Sequence, residues 1–252
     1  MSDIGFQAQT YSPQQGGFRP VSAPVDSQPF PSARCAIPLP PSVDLLMSRV
    51  GGQRRRLRRG DYLYRYGAQF HALFGVHAGS FKTVLLTEDG REQVTGFHMA
   101  GEVLGVDGLG SDVYSGDAIA LEDGEVIEIP RDTLDTLQQR FRMLAGEIHR
   151  ERALMVLLGS MRAEERIAVF LLNLSQRMAS RGYSATRFIL RMTREEIGSL
   201  LGLKLETVSR ILSRFQAEKM IRVHNREIDL YEIDRLRAVV GRTDARRDEA
   251  AA

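Results

Sequence analysis

The stretch LGLKLETVSRILSRFQAEKMI (residues 201–221) decides the architecture, because its two faces differ in chemistry. Val208, Ile211, Leu212 and Phe215 fall at i, i+3, i+4 and i+7, the apolar stripe of an amphipathic helix. Glu206, Ser209 and Arg210 fall at i, i+3 and i+4 on another face, so an acid, a hydroxyl and a guanidinium are neighbours. Just upstream, in MTREEIGSLLG (residues 192–202), Thr193 and Glu196 form a T-x-x-E capping box that starts a helix. Gly202 ends that helix after about two turns. Downstream, Ile221-Arg222-Val223 and Ile228-Asp229-Leu230 flank a polar turn, His224 to Glu227, and read as a two-stranded wing. A short helix, a tight turn, a second helix and a hairpin make a winged helix-turn-helix.

In that motif the second helix enters the major groove and its N-terminal residues reach base edges. The planar fork of Arg210 matches guanine O6 and N7, Glu206 can accept from the cytosine N4 amine, and Ser209 is small enough to approach a base edge or a thymine methyl. Thr207, in the same first turn, joins this set. Lys204, before the helix, and Arg214, one turn beyond Arg210, are placed for phosphates, which add affinity without sequence information. Lys204 stands at the expected N-cap, where it cannot accept from the free N–H groups of the first turn.

The rest of the chain frames this reader. With 252 residues, 43% hydrophobic and 26% charged, the chain has the composition of a soluble globular protein of one or two domains. No apolar run reaches a membrane span, no secretory signal is evident, and the single cysteine, Cys35, cannot form an intrachain disulfide; a cytoplasmic location is expected. The overall charge of +2 hides an asymmetry. Residues Asp61 to Arg162 hold 9 Lys/Arg against 16 Asp/Glu, whereas Glu164 to Val240 hold 14 against 10. A basic C-terminal part is suited to a polyanion.

Residues 1–41, rich in Pro, Gly, Ser and Gln, read as a flexible tail, and 241–252 as a charged, Ala-rich one. Within 42–130, short alternating runs separated by Gly and Asp turns predict a small β-roll or jelly roll, with Glu88-Asp89-Gly90 and Glu122-Asp123-Gly124 as hairpin turns. A long helix is predicted over 131–162. Its positions Leu144, Ile148, Glu151, Met155 and Leu158 are spaced 4, 3, 4, 3, a coiled-coil seam that asks for a second copy of the chain. A second stripe, Leu154, Leu157 and Met161, can pack back on the roll. Residues 163–240 then form the winged domain, giving an α+β chain overall.

Three long blocks resemble the FNR branch of the FNR–CRP transcription regulators over about residues 35–240: TEDGREQVTGFHMAGEVLG, AEERIAVFLLNLSQRMASRGYS and MTREEIGSLLGLKLETVSRILSRFQ. The last carries the family's E-x-x-S-R pattern at Glu206, Ser209 and Arg210. The resemblance implies a homodimer with a cyclic-nucleotide-binding-like β-roll, a long dimerising helix and a DNA-reading winged domain. It implies a target like TTGAT-N4-ATCAA and, for an activator, contact with RNA polymerase through the loop Thr87, Glu88, Asp89, Gly90 and Arg91. Genes of low-oxygen, nitrogen-oxide or related respiration are the implied targets. The competing reading is a ligand- or redox-sensing roll whose winged domain contacts protein instead of DNA.

The sequence departs from the family at several points. FNR resembles this chain but holds an iron–sulfur cluster on four cysteines; here only Cys35 remains, and Ile127 stands where the roll's cysteine would be. One thiolate cannot replace four ligands, so no cluster is expected, and Cys35 is at most a redox-sensitive thiol. Without the cluster the chain resembles the FixK-type or haem/nitric-oxide-responsive relatives; haem stays open. The cyclic-nucleotide branch binds phosphate with an Arg near a G-E turn. Gly101-Glu102 is present, but no Lys or Arg occurs from Glu92 to Pro130, so no cyclic AMP binding is expected, and micromolar binding in a calorimeter would overturn this. Relatives carry Ser or Thr at the N-cap where Lys204 stands.

Glu151 in a parallel dimer would face its symmetry mate and weaken pairing; alternatively it pairs with Arg150 or Arg152 of the other chain. His71, His77 and His98 lack metal-ligand spacing, and RRRLRRG (residues 54–60) reads as a solvated edge before the first strand. No catalytic constellation is present, and no enzyme activity is expected.

Overall fold

The computed structural model describes residues 52–87, 90–133 and 137–240. Both terminal tails, residues 42–51, Cys35 and the pair Glu88 and Asp89 therefore lie outside the described residues.

Eight strands build the N-terminal roll among the described residues: β1 (Arg54–Leu57), β2 (Tyr62–Tyr64), β3 (Ala72–Ala78), β4 (Ser80–Leu86), β5 (Glu92–Met99), β6 (Val103–Leu104), β7 (Asp117–Ala120) and β8 (Gly124–Pro130). They pair antiparallel into two sheets, ordered β1-β8-β3-β6 and β2-β7-β4-β5. Alternation along each strand sends one set of side chains between the sheets. Phe70, Phe74, Phe81 and Tyr114 fill that interior with Leu57, Leu63, Leu73 and Val76. Tyr114 stacks on Tyr64 with ring centroids 4.0 Å apart, meets Phe70 edge-on at 5.4 Å, and donates its hydroxyl to the Ala72 carbonyl at 2.7 Å. Burial pushes the Tyr114 phenol up to about 12.

One turn differs from its sequence reading. Glu122-Asp123-Gly124 links β7 to β8, which belong to different sheets, so it is a crossover at the roll's edge and not a hairpin. Turn chemistry reports a local reversal but not the strand that the chain pairs with next. The basic run, expected as a solvated edge ahead of the first strand, is itself the first strand: β1 lies at a sheet edge, and Arg54 and Arg56 both meet Glu125, at 2.8 and 3.2 Å.

Helix α1 (Leu137–Ser160) follows, 24 residues and about 36 Å long. Its two stripes separate as expected in part. Leu157 and Met161 are buried and Leu154 is half-buried, all in one cluster with the outer face of the second sheet. The proposed seam divides. Ile148 and Met155 are 47% and 70% exposed and Glu151 is open between them, whereas Leu144 packs on the roll's interior and Leu158 on the cluster below α1. Heptad spacing therefore marked five positions, of which this chain half-covers the two outer ones itself.

The C-terminal part contains α2 (Ala163–Ala179), β9 (Arg187–Ile189), α3 (Arg194–Leu201), α4 (Leu205–Ala217), β10 (Ile221–His224) and β11 (Glu227–Leu230), with residues 233–240 helical. The wing has three strands and not two, in the order β10-β11-β9. The third strand is β9, upstream of α3; its Phe188, opposite Ile228, is buried. No helix among the described residues is long and apolar enough to cross a membrane.

Candidate nucleic-acid interface

The site is built on α3, the turn after it, and α4. Thr193 is the N-cap of α3: its hydroxyl accepts from the Glu196 amide at 3.1 Å, and the Thr193 amide donates to the Glu196 carboxylate at 2.7 Å, closing the predicted capping box. Burial pushes the Glu196 carboxyl up, but the Thr193 amide and Lys82 outweigh it and hold the group below the usual carboxylate range. Gly202 ends α3 in the left-handed conformation at φ 63°, where a glycine has no side-chain penalty. Gly198 serves the same turn differently, since a Cβ there would lie 2.5 Å from the Leu203 carbonyl oxygen. Only glycine lets the turn fold back this closely on α3.

The turn delivers α4 with its apolar stripe inward. Val208, Ile211, Leu212 and Phe215 are all buried, and their burial contributes about 6–12 kcal/mol before side-chain ordering is subtracted. The opposite face is open: Lys204, Glu206 and Arg210 are exposed, and Thr207 and Ser209 are half-buried beside them. The three residues singled out by spacing thus stand together at the N-terminal half of one helix.

Two features were missed by periodicity. Arg194, the first residue of α3, donates from Nη1 to Ser209 Oγ at 3.3 Å and so borders the polar face of α4. Leu205 is 45% exposed at the start of α4 and adds apolar surface next to Glu206. A signal for Arg194 exists in the sequence: a cation at a helix N-terminus opposes the helix dipole, an arrangement that an incoming anion relieves. Lys204, at the N-cap of α4, repeats it, and its side chain makes no cap bond.

Arg214 stands differently from its expected phosphate role. Its Nη1 meets Glu164 at the start of α2 and its Nε lies 3.5 Å from Glu218. The Arg214 guanidinium holds the Glu164 carboxyl below its usual range, with smaller help from the charge of Arg210. Arg214 thus ties α4 to α2, and helical spacing could not show this because Glu164 is 50 residues away.

Lys204→Thr is expected to stabilise the free protein by about 0.5–2 kcal/mol in urea unfolding, because threonine supplies the missing cap acceptor. The same change should lower the slope of log affinity against log salt by about one for each half-site contacted. An unaltered slope would remove Lys204 from the phosphate contacts.

Elsewhere, the histidines stay apart. His98 is buried beside Thr83, His71 lies 3.6 Å from Glu128 and His77 lies 3.4 Å from Arg54; no group of three potential metal ligands occurs among the described residues.

A two-sheet roll, a long helix and a winged helix-turn-helix with an exposed polar face on its second helix are together the architecture of DNA-binding transcription regulators. Comparison with known proteins agrees. Residues 165–239 match the Crp-like helix-turn-helix domain, and residues 54–141 match the cyclic nucleotide-binding domain. The chain is 46% identical over 197 residues to the transcriptional regulatory protein btr of Bordetella pertussis, covering 75% of this chain and 81% of that one. It is 40% identical to the fumarate and nitrate reduction regulatory protein of Escherichia coli, covering 76% and 80%. Among solved structures it is similar to FixK2 from Bradyrhizobium japonicum, with a TM-score of 0.69, 30% identity, and 75% and 98% of the two chains covered. The chain belongs to the CRP/FNR family of transcription regulators, and with one cysteine it lacks the four-cysteine iron–sulfur motif.

Proposed function

We propose that two copies of this chain pair along the open face of α1 and place one α4 in each half of an FNR-like palindrome, TTGAT-N4-ATCAA. Arg210, Glu206 and Ser209 read base edges, Leu205 and Thr207 lie against the neighbouring edge, and Arg194 and Lys204 meet phosphates. The dimer acts as an activator, with the loop at residues 87–91 meeting RNA polymerase. Its genes belong to low-oxygen, nitrogen-oxide or related respiratory metabolism, a reading supported by the name of the relative concerned with fumarate and nitrate reduction. The observation that carries the proposal is the polar face of α4, open at its N-terminal half while the reverse face is wholly buried.

The direct test is competition between the palindrome and a scrambled duplex at moderate salt. A preference of about a thousandfold or more is expected, in the usual range for specific over non-specific binding. Equal affinities would refute the reading.

The dimer face adds a second test. Ile148 and Met155 are apolar and exposed, and Glu151 between them brings like charges together in a parallel pair. Glu151→Ala should tighten the dimer in sedimentation equilibrium. A weaker dimer would instead mean that Glu151 pairs with an arginine of the other copy.

A further inference from the structure

The winged domain is joined to the roll by far more than the end of α1. Glu102 lies in the turn between β5 and β6 and is fully buried, 0% exposed. No cation is near it in sequence, yet two arrive from α2 and the turn after it. Arg177 donates from Nε and Nη2 to the two carboxylate oxygens at 3.0 and 2.6 Å, the fork-to-fork geometry of a strong pair. Arg181 donates from Nη2 to the same carboxylate. The arginines also reach backbone on the roll: Arg177 to the Phe97 carbonyl at 2.7 Å and Arg181 to the Ala100 carbonyl at 2.5 Å.

Independent contacts support this link. β5 is an edge strand, and its Val94 amide donates to Ser199 Oγ of α3 at 2.8 Å, while Lys82 on β4 lies 3.0 Å from Glu196. Phe97 of β5 meets Phe170 of α2 edge-on at 6.2 Å, within one continuous apolar cluster. Lifting the winged domain away would expose that cluster and strand a buried carboxylate without its cations, a strongly unfavourable change. The contacts use α2 and α3, so Glu206 and Arg210 on α4 remain open in the docked arrangement.

We propose that Glu102, Arg177 and Arg181 form a latch that holds the winged domain on the roll in its DNA-binding pose. Through it the roll, and the α1 that packs on it, fixes the separation and angle of the two reading helices in the dimer. The inference rests on the palindrome reading above. These are positioning residues: none of them touches DNA, and a loosened latch spoils the register of two readers while leaving each reader intact.

The experiment compares wild type with Glu102→Gln on three duplexes: the palindrome, a single half-site, and the palindrome with a lengthened spacer. Exchange of the Val94 amide is followed in parallel. Wild-type protein with no preference for the palindrome would sink the palindrome reading itself, whatever the latch does to amide exchange. With that preference present, Glu102→Gln is expected to weaken palindrome binding about tenfold or more by depleting the competent pose, with half-site binding within about twofold of wild type. Discrimination against the longer spacer should shrink, and Val94 should exchange faster. Equal losses on palindrome and half-site, unchanged binding, or a gain in palindrome affinity would each overturn the latch; the gain would mark the docked pose as a resting state. Should Glu102→Gln fail to fold, Val94→Cys with Ser199→Cys, in a Cys35→Ser background, gives the second test. The Val94 amide lies 2.8 Å from Ser199 Oγ, so the two residues are neighbours across the junction, and formation of the disulfide is verified by mass before binding is measured. The oxidised protein is expected to bind the palindrome as the reduced one does. Loss of binding on oxidation, restored by reductant, would overturn the proposal.

Discussion

Arg210→Ala is expected to abolish specific binding to the palindrome while leaving the fold intact. Arg210 is exposed and lies on the polar side of α4, away from the buried stripe that holds the helix in place. Its removal should leave thermal unfolding within about 0.5 kcal/mol of wild type. A bidentate arginine–guanine contact is worth about 1–3 kcal/mol of discrimination. Two half-sites double it to roughly 2–6 kcal/mol, a loss of about 30-fold to more than 10⁴-fold. Non-specific affinity should fall only slightly, because it comes from phosphate contacts. Fluorescence anisotropy on palindromic and scrambled duplexes separates the two effects. If both fall equally, Arg210 is a phosphate ligand and not a base reader. Glu206→Ala, beside it, should relax specificity at one base pair.

The largest stability effect is expected at Tyr114. Its ring is wholly buried, stacked on Tyr64 and edge-on to Phe70, and its hydroxyl is bonded to a backbone carbonyl. Tyr114→Ala should cost about 3–5 kcal/mol, because the surrounding β-sheets cannot collapse to fill the space. Tyr114→Phe keeps the packing and loses only the bond to Ala72, an expected cost of about 0.5–1.5 kcal/mol. Urea unfolding followed by tyrosine fluorescence measures both. An alanine variant no weaker than the phenylalanine one would show that the ring is not a member of the core.

Much of the reading element was legible because its determinants are local. The capping box at Thr193 and Glu196, the stripe Val208 to Phe215, and the face Glu206, Ser209 and Arg210 all lie within two consecutive helices. Helical periodicity places such residues with no knowledge of the rest of the chain. The uncapped Lys204 was legible for the same reason. The seam on α1 was only half legible. Spacing shows that Leu144 and Leu158 share a face with Ile148 and Met155, but which of them this chain covers depends on where the roll lies.

By itself, then, the sequence determined the main helices, the capping box at Thr193 and the uncapped start at Lys204, most of the roll's short strands, and the chemistry of the polar face of α4. Each of these follows from backbone geometry and side-chain spacing over fewer than about twenty residues. Only the tertiary structure decided that residues 122–124 cross between sheets, that β9 completes the wing, and that Arg214 is held by Glu164. It alone brought Arg177 to Glu102 across 75 residues and made one apolar cluster out of the roll's outer face and the winged domain. The physical reason is that a charge or a strand edge carries no address in sequence. Its partner is whichever group the packing of distant elements leaves opposite it, and burial then makes that pairing costly to break.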